Sequence, residues 1–233
     1  MVIHRLIARH IKHGDDPEFY RLQATDAIDW LLAQRIPIGQ ETTVLDLGCG
    51  HGIFGLELSR HHCPVSFADQ TNHLLPELRS KPFFTINLDH DPFDSLGSYD
   101  LVICSNVLEH LSQPTRFLEN IRSILKPKSH LYLSWTNWLS PWGGHDFSPF
   151  HYLGPKLGPQ VFDKIIRKKR IHQPFQTLYP TYIGRLLKQI AALEGLQSIK
   201  TIPRYYTEFA FLMKIPLLRE FTAWNCAMLI QRT

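Results

Sequence analysis

Short apolar runs rich in β-branched and aromatic residues alternate along the chain with longer segments whose apolar residues recur at helical spacing. Such short runs, bounded by Gly, Pro or Asp, predict buried strands, and the recurring pattern predicts amphipathic helices. The first five predicted strands are 42–47, 64–69, 82–88, 98–105 and 130–135. The predicted helices are 17–35, 53–60 and 114–125, a short basic helix within 1–16, and one that begins near Thr71 or Asn72.

Strands that alternate with helices at these spacings are typical of βαβ units and a parallel sheet. Residues 137–178 interrupt the alternation, and their aromatic, Gly- and Pro-rich composition favours a binding loop or lid over disorder. A helix near 181–193, a strand near 196–202, a helix over 211–221 interrupted at Pro216, and a strand in NCAMLIQR complete the pattern. We therefore expect an α/β fold with a doubly wound, mostly parallel, seven-stranded sheet and a lid-like insertion after the fifth strand.

Length and composition indicate an ordinary globular chain of 233 residues, expected to form one domain over 1–233. No apolar run approaches the roughly 20 residues that cross a bilayer. Four cysteines without a C-x-x-C pair favour a reducing compartment, so a cytoplasmic location is expected. The net charge of +4 permits an anionic substrate without requiring nucleic acid. The basic run 167–170 is interpreted as a solvated helix face, with a weak contact to an anionic surface as the alternative.

The strongest chemical signal is the segment VLDLGCGHG, residues 44–52, in which a predicted strand runs into glycines and then into a helix. Glycine lets the backbone adopt positive φ and lets a ligand approach the main chain closely. The second strand ends in Asp69, where a carboxylate can accept hydrogen bonds from the two hydroxyls of a ribose. A plain strand-to-helix turn and a helix-capping aspartate are the structural alternatives for these two features.

Four ordered segments, VLDLGCGHG, VSFAD, NLDHDPFDSLGSYDLVICSNVLEHL and ILKPKSHLYLSW, resemble the class I S-adenosylmethionine-dependent methyltransferases over residues 42–136. The resemblance implies a Rossmann-like methyltransferase fold, S-adenosylmethionine as cofactor, and a division of the domain into four parts. These are an N-terminal helical cover (1–40), a cofactor-binding core (42–136), an acceptor lid (137–178) and a C-terminal helix with strands (179–233).

The same resemblance implies roles for individual residues. Asp69 is expected to hold the ribose, with Gln70 beside the adenine, and the tip of the third strand is expected to meet the adenine edge. Asn87 and Leu88 stand at that tip, although Asp89 is an alternative to Asn87. The residues expected to line the methionine half of the cofactor are Asp46, Gly48, Cys49, Gly50 and Gly52. Those expected to face the sulfonium and its methyl group are Cys104, Ser105 and Asn106. His110, in the VLEHL signature, is either structural or a ligand contact.

The acceptor side is less clear from the sequence. His145, Asp146 and His151 in the insertion are candidates for a catalytic base, because a histidine of ordinary pKa can take a proton near neutral pH. The alternative is that His145 and His151 bind backbone carbonyls within the loop. The aromatic residues that could form an apolar acceptor pocket are Trp138, Trp142, Phe147, Phe150 and Tyr152. No metal site is predicted, because the 13 histidines show neither H-E-x-x-H nor a paired Cys/His spacing.

The function expected from these observations is methyl transfer to a small, partly apolar acceptor, with oxygen as the first choice of acceptor atom. No nucleic acid partner and no transmembrane segment are expected, and the oligomeric state is left open. Methylation of RNA or protein is an alternative suggested by the basic run. An NAD-dependent oxidoreductase and a non-catalytic subunit of the same fold are further alternatives, although the third glycine comes one residue earlier than in G-x-G-x-x-G.

Overall fold

The computed structural model describes residues 2–233, and its strands form one seven-stranded sheet. The strands are β1 (Val44–Leu47), β2 (Val65–Asp69), β3 (Phe83–Thr85), β4 (Tyr99–Ser105), β5 (Leu125–Thr136), β6 (Leu196–Pro203) and β7 (Asn225–Arg232). Their order is β3-β2-β1-β4-β5-β7-β6. The first five strands are parallel, and β7 runs antiparallel to both β5 and β6. The predicted doubly wound, mostly parallel α/β sheet is confirmed.

Helices cover both faces of the sheet. They are α1 (Ile3–His13), α2 (Pro17–Ala33), α3 (Ile53–Arg60), α4 (Pro114–Ile124), α5 (Gly154–Ile166), α6 (Ile183–Ala192) and α7 (Pro216–Thr222). Apolar residues of α4 and α6 pack against one face of the sheet, and those of α2 and α3 pack against the other. Burial on both faces explains why three of the four residues of β1 are apolar, with Asp46 as the polar one.

Local capping fixes where two of the helices begin. The Asp16 carboxylate accepts a hydrogen bond from the backbone N–H of Phe19 at 2.9 Å, and Pro17 occupies the first turn of α2. At the start of α6, the two carboxylate oxygens of Glu220 accept hydrogen bonds from the backbone N–H groups of Ile183 and Gly184, at 2.9 and 2.7 Å. Because Glu220 belongs to α7, this contact joins the two C-terminal helices.

The helix expected after Thr71 is not formed. Only a short 3-10 turn, Pro76–Leu78, stands there, and β3 is shorter than the predicted strand. The break expected at Pro216 is present, since a 3-10 segment over Thr207–Lys214 ends before α7 begins at that proline. The basic run 167–170 was expected on a helix face, but it follows the end of α5 and is irregular.

The insertion between β5 and α6 has a small apolar cluster of its own. Trp138, Phe147, Phe162 and Leu178 are buried together, with Phe162 contributed by α5. This cluster gives the predicted lid a fixed shape independent of the two main cores. None of the helices in residues 2–233 combines the length and apolarity required to cross a membrane.

We expect Phe117→Ala to destabilise the protein by about 3–5 kcal/mol, because it removes a fully buried ring and leaves a cavity under α4. The Phe117 side chain is 1% exposed and its ring centroid lies 6.0 Å from that of Phe93. Urea unfolding would measure the change. Phe211→Ala is the matched control, since Phe211 is 57% exposed and its loss should change the unfolding free energy by less than about 0.5 kcal/mol. Equal effects of the two substitutions would contradict this account of the core.

Candidate functional site

A cavity of about 740 Å³ opens at the edge of the sheet where the parallel strands end. This is the edge at which open α/β sheets bind ligands, and the volume lies within the range of small-molecule sites. Its wall is built from the loop after β1, the end of β4, the N-terminal part of α2, the insertion, and the segments next to β6 and β7. Residues far apart in the sequence therefore share one chamber.

The glycine loop after β1 forms one end of the cavity. Gly48, Gly50 and Gly52 have φ values of +70°, +51° and +78°, which side-chain-bearing residues rarely adopt. A Cβ at Gly48 would stand 2.4 Å from a methyl carbon of Val107, so this position admits no side chain. A Cβ at Gly50 would meet nothing within 4 Å, because Gly50 borders the open cavity.

Two carboxylates bond to the backbone of this loop and of the helix that follows it. Asp69 Oδ2 accepts a hydrogen bond from the backbone N–H of Gly50 at 2.8 Å, and its Oδ1 accepts one from the N–H of Gln70 at 2.7 Å. Asp46 lines the cavity, is 3% exposed, and accepts a hydrogen bond from the N–H of Gly55 at 2.9 Å. Burial raises the pKa of Asp46 to about 7, and the nearby charge of Asp69 adds to the rise.

The residues expected around the methyl group divide into two sets. Ser105 and Asn106 line the cavity, whereas the Cys104 side chain is fully buried in the core beneath it. Asn106 has a φ of +58°, and its side-chain nitrogen donates to Gln23 Oε1 at 3.2 Å. Its Oδ1 accepts a hydrogen bond from the side-chain nitrogen of Asn225 at 2.8 Å.

The tip of β3 lies outside the cavity wall. The Asn87 backbone N–H donates to Asp91, and Asn87 Oδ1 accepts from the N–H of Asp89 at 3.0 Å. The Asp89 carboxylate accepts hydrogen bonds from the backbone N–H groups of Ser112 and Gln113, ahead of α4. Leu88 is buried and Gln70 is exposed.

Of the three predicted base candidates, only His145 lines the cavity. His151 is fully buried, and its Nε2 lies 3.0 Å from the carbonyl oxygen of Ser140, so it occupies a structural position inside the insertion. Asp146 Oδ1 lies 2.6 Å from His172 Nδ1, and the Asp146 carboxylate also accepts from the N–H of Ile171. Burial lowers the pKa of His145 to about 3, with His110 and His172 adding to the effect.

Several residues of the wall were not expected from the sequence. Arg204 follows β6, is 2% exposed, and its guanidinium donates to Ser105 Oγ and Ser134 Oγ, both at 3.1 Å. The sequence could have indicated Arg204 as a wall residue, because it is a polar residue just after the strand predicted near 196–202. Gln23 lies within the amphipathic pattern of α2, which gave no such signal. The remaining unexpected wall residues include Asp15, Phe19, Tyr20, Phe54, Thr136, His172, Tyr205 and Asn225.

The model of a family described as "methyltransferase domain" matches residues 18–201 of the chain. An uncharacterised methyltransferase of Mycolicibacterium gilvum is 29% identical, with 98% of this chain and 92% of the relative covered. One of Mycobacterium tuberculosis is also 29% identical, with 97% of this chain and 92% of the relative covered.

Solved structures are similar in fold. An S-adenosylmethionine-dependent methyltransferase from Mesorhizobium loti has a TM-score of 0.60 at 18% identity, covering 90% of this chain and 100% of that one. Magnesium protoporphyrin IX methyltransferase from Synechocystis, with bound S-adenosylhomocysteine, has a TM-score of 0.55 at 19% identity, covering 92% and 84%.

We expect the stability of the protein to fall, relative to that of the Asp46→Asn variant, as pH rises from about 4 to 7. Between the ordinary pKa of 3.8 and the folded value of about 7, the folded chain keeps a proton on Asp46 that the unfolded chain has lost. The free energy of unfolding of the wild type, measured relative to that of Asp46→Asn, therefore declines with pH between about 4 and 7 and is constant above pH 7. Asparagine keeps an oxygen for the Gly55 N–H without titrating. Urea unfolding at several pH values gives the difference, and a constant difference would contradict the raised pKa.

Proposed function

Because the chain belongs to the methyltransferase-domain family and takes its methyl group from S-adenosylmethionine, we propose that it methylates an oxygen of a small, partly apolar acceptor. The supporting observation is that a single cavity is lined both by the glycine loop with Asp46 and by His145 with several aromatic side chains. Such a chamber suits two molecules that must react with each other.

The residues at the first end fit the cofactor. The open space beside Gly50 allows a ligand to approach the main chain, and the carboxylate of Asp46 suits a positively charged amino group. We assign Asp46, Gly48, Cys49, Gly50 and Gly52 to the methionine half on this basis. When bound, the cofactor supplies a methyl group made electrophilic by the sulfonium, so the protein has to align the acceptor rather than activate the methyl group.

Asp69 and Gln70 are assigned to the ribose and adenine. The position of Asp69 is fixed by its hydrogen bond to Gly50, which would bring a ribose close to the glycine loop. At the tip of β3 we assign Asn87 and Leu88 to the adenine rather than Asp89. The reason is that the hydrogen bonds from Ser112 and Gln113 hold the Asp89 carboxylate against the segment ahead of α4, whereas that from Gly50 holds Asp69 beside the glycine loop. Ser105 and Asn106 are assigned to the methyl group, with Cys104 contributing through its backbone.

The acceptor is assigned to the space between α2 and the insertion. Phe19 and Tyr20 of α2 and His145 of the insertion all line the cavity, which suits an acceptor with apolar surface and at least one polar atom. A general base works best when its pKa lies near the working pH, and the pKa of His145 is about 3. We therefore assign His145 to the wall of the acceptor space rather than to proton abstraction, and His151 and Asp146 to holding the insertion in shape.

The other functions considered from the sequence have less support. The family match excludes the NAD-dependent oxidoreductase. In the basic run, Arg170 forms an ion pair with Asp163, Nε to Oδ1 at 2.8 Å, so RNA would have to compete for that arginine. A small molecule is also in keeping with a cavity of about 740 Å³.

Incubation with S-adenosylmethionine labelled in its methyl group, together with fractionated small-molecule extracts, tests the acceptor class. We expect the label to appear in a small molecule, on an oxygen identified by mass spectrometry. Label recovered in RNA or protein, or on nitrogen or carbon, would contradict the proposal.

Substitution of Asp69 by alanine is expected to weaken binding of S-adenosylhomocysteine about 10- to 100-fold, because hydrogen bonds to a charged acceptor are worth about 1.5–3 kcal/mol. Calorimetry would measure the affinity. Asp94→Ala, an exposed carboxylate beyond the cavity, is the matched control and should leave the affinity unchanged. An affinity unaltered by Asp69→Ala would remove Asp69 from the ribose site.

A further inference from the structure

Three histidines from separate parts of the chain meet in the cavity wall. His110 follows β4, His145 lies early in the insertion, and His172 lies near the end of the insertion. One ring nitrogen of each lies within 4.8 Å of those of the other two. The ring centroids are 5.4 Å apart for His110 and His145, 5.5 Å for His110 and His172, and 4.7 Å for His145 and His172.

Hydrogen bonds fix the proton position on two of these rings. His110 Nδ1 lies 2.7 Å from the carbonyl oxygen of Thr177, which can only accept, so Nδ1 carries the proton and the neutral ring has a lone pair on Nε2. His172 Nδ1 lies 2.6 Å from Asp146 Oδ1, so the neutral ring of His172 also carries its proton on Nδ1 and its lone pair on Nε2. A histidine whose second nitrogen donates to a carboxylate or a carbonyl is the usual arrangement of a metal-binding histidine.

A buried carboxylate beside the histidines, that of Glu109, accepts a hydrogen bond at only one of its two oxygens. Glu109 is 1% exposed, and its Oε1 accepts a hydrogen bond from the backbone N–H of Thr136 at 2.8 Å. Its Oε2 is buried without a hydrogen-bond partner among residues 2–233. Glu109 Oε1 also lies 4.0 Å from His145 Nε2, in the same cavity wall. An unpartnered carboxylate oxygen is costly in the interior, and either protonation or a nearby cation removes that cost.

We propose that His110, His145 and His172 bind a divalent first-row transition metal ion such as Zn²⁺, with the buried carboxylate of Glu109 compensating its charge. Imidazole nitrogen is a preferred ligand of these ions, whereas Mg²⁺ and Ca²⁺ prefer oxygen. Three histidines with one open position are typical of catalytic zinc sites. Tetrahedral zinc would place the three nitrogens about 3.3 Å apart, a modest inward movement of the rings.

The place of this site in the cavity suggests what the ion does. The three histidines line the same cavity that is proposed to hold the acceptor, so an open coordination position on the ion would be accessible to it. A bound divalent ion can hold a hydroxyl oxygen and lower its pKa, so that the proton passes more readily to water. This role rests on the proposed methylation of oxygen, whereas metal binding itself does not.

Binding is tested on the full chain after treatment with EDTA and dialysis, by calorimetric titration with ZnCl₂. We expect one Zn²⁺ per chain, and a loss of affinity of at least about 100-fold in His110→Ala and His172→Ala. His90→Ala, an exposed histidine outside the cavity, is the matched control and should bind as the wild type does. Wild-type affinity in both cluster variants, or no binding to the wild type, would overturn the proposal.

A variant that retains all three histidines distinguishes a loss of metal binding from a loss of folding. Asp146→Asn removes the charged partner of His172 Nδ1 and should weaken Zn²⁺ binding about 10- to 100-fold. Co²⁺ provides a spectroscopic check, because its visible absorption should show nitrogen ligands in the wild type and lose that signature in His172→Ala. An identical Co²⁺ spectrum in both proteins would also overturn the site.

Methyl transfer is then measured with and without the metal. Zn²⁺ binding without any methylated oxygen product would support the metal site and refute the proposed acceptor chemistry. Zn²⁺ binding together with methyl transfer that survives EDTA undiminished would refute the role of the ion toward the acceptor. Methyl transfer with no Zn²⁺ bound would refute the metal site alone.

Discussion

The buried guanidinium of Arg204 is the constraint on which the shape of the cavity depends. A charge removed from water must be solvated by the protein, and the acceptors here are hydroxyl, amide and carbonyl oxygens. They come from Ser105, Asn106, Ser134 and the backbone of Gln23. The ends of β4, β5 and β6 are thereby joined to α2 through one side chain. The aromatic rings of Tyr132, Tyr205 and Phe54 surround the guanidinium at 5.4–6.0 Å and exclude water from it.

This arrangement couples the two ends of the cavity. Asn106, in the segment assigned to the methyl group, is held by Gln23 of α2 and Asn225 of β7. The same Asn106 oxygen lies 3.4 Å from the Arg204 guanidinium. A displacement of α2, which also lines the space proposed for the acceptor, would therefore move the residues assigned to the methyl group. The polar network fixes these positions more tightly than apolar packing alone would, because each hydrogen bond has a preferred direction.

The sequence predicted the sheet well because its strands carry their own signals. VLDL and VSFAD are short apolar runs that end at polar or glycine residues, and such runs are buried in any parallel sheet. The helix expected after Thr71 is absent for a local reason, since Pro76 would lie in its interior, where proline removes a hydrogen bond and clashes with the preceding turn. The site was less predictable because its residues are far apart in the sequence and become neighbours only in the folded chain. His110, His145 and His172 have no characteristic spacing, and nothing in the pattern around Gln23 or Arg204 indicated that they would lie side by side. For His151 the sequence offered either a catalytic base or a partner of a loop carbonyl, and the structure shows the second, because His151 is buried against Trp138 with its Nε2 3.0 Å from the Ser140 carbonyl oxygen.

The reversed direction of β7 has a consequence for how such a protein can diverge. Because β6 ends and β7 begins at the same edge of the sheet, the connection 204–224 starts and finishes beside the cavity, as does the insertion before α6. Either segment can lengthen or exchange its side chains without shifting a strand. They are not independent, however, since Glu220 of one caps the helix that follows the other. A lineage that remodels its chamber therefore has to inherit these two segments as a matched pair.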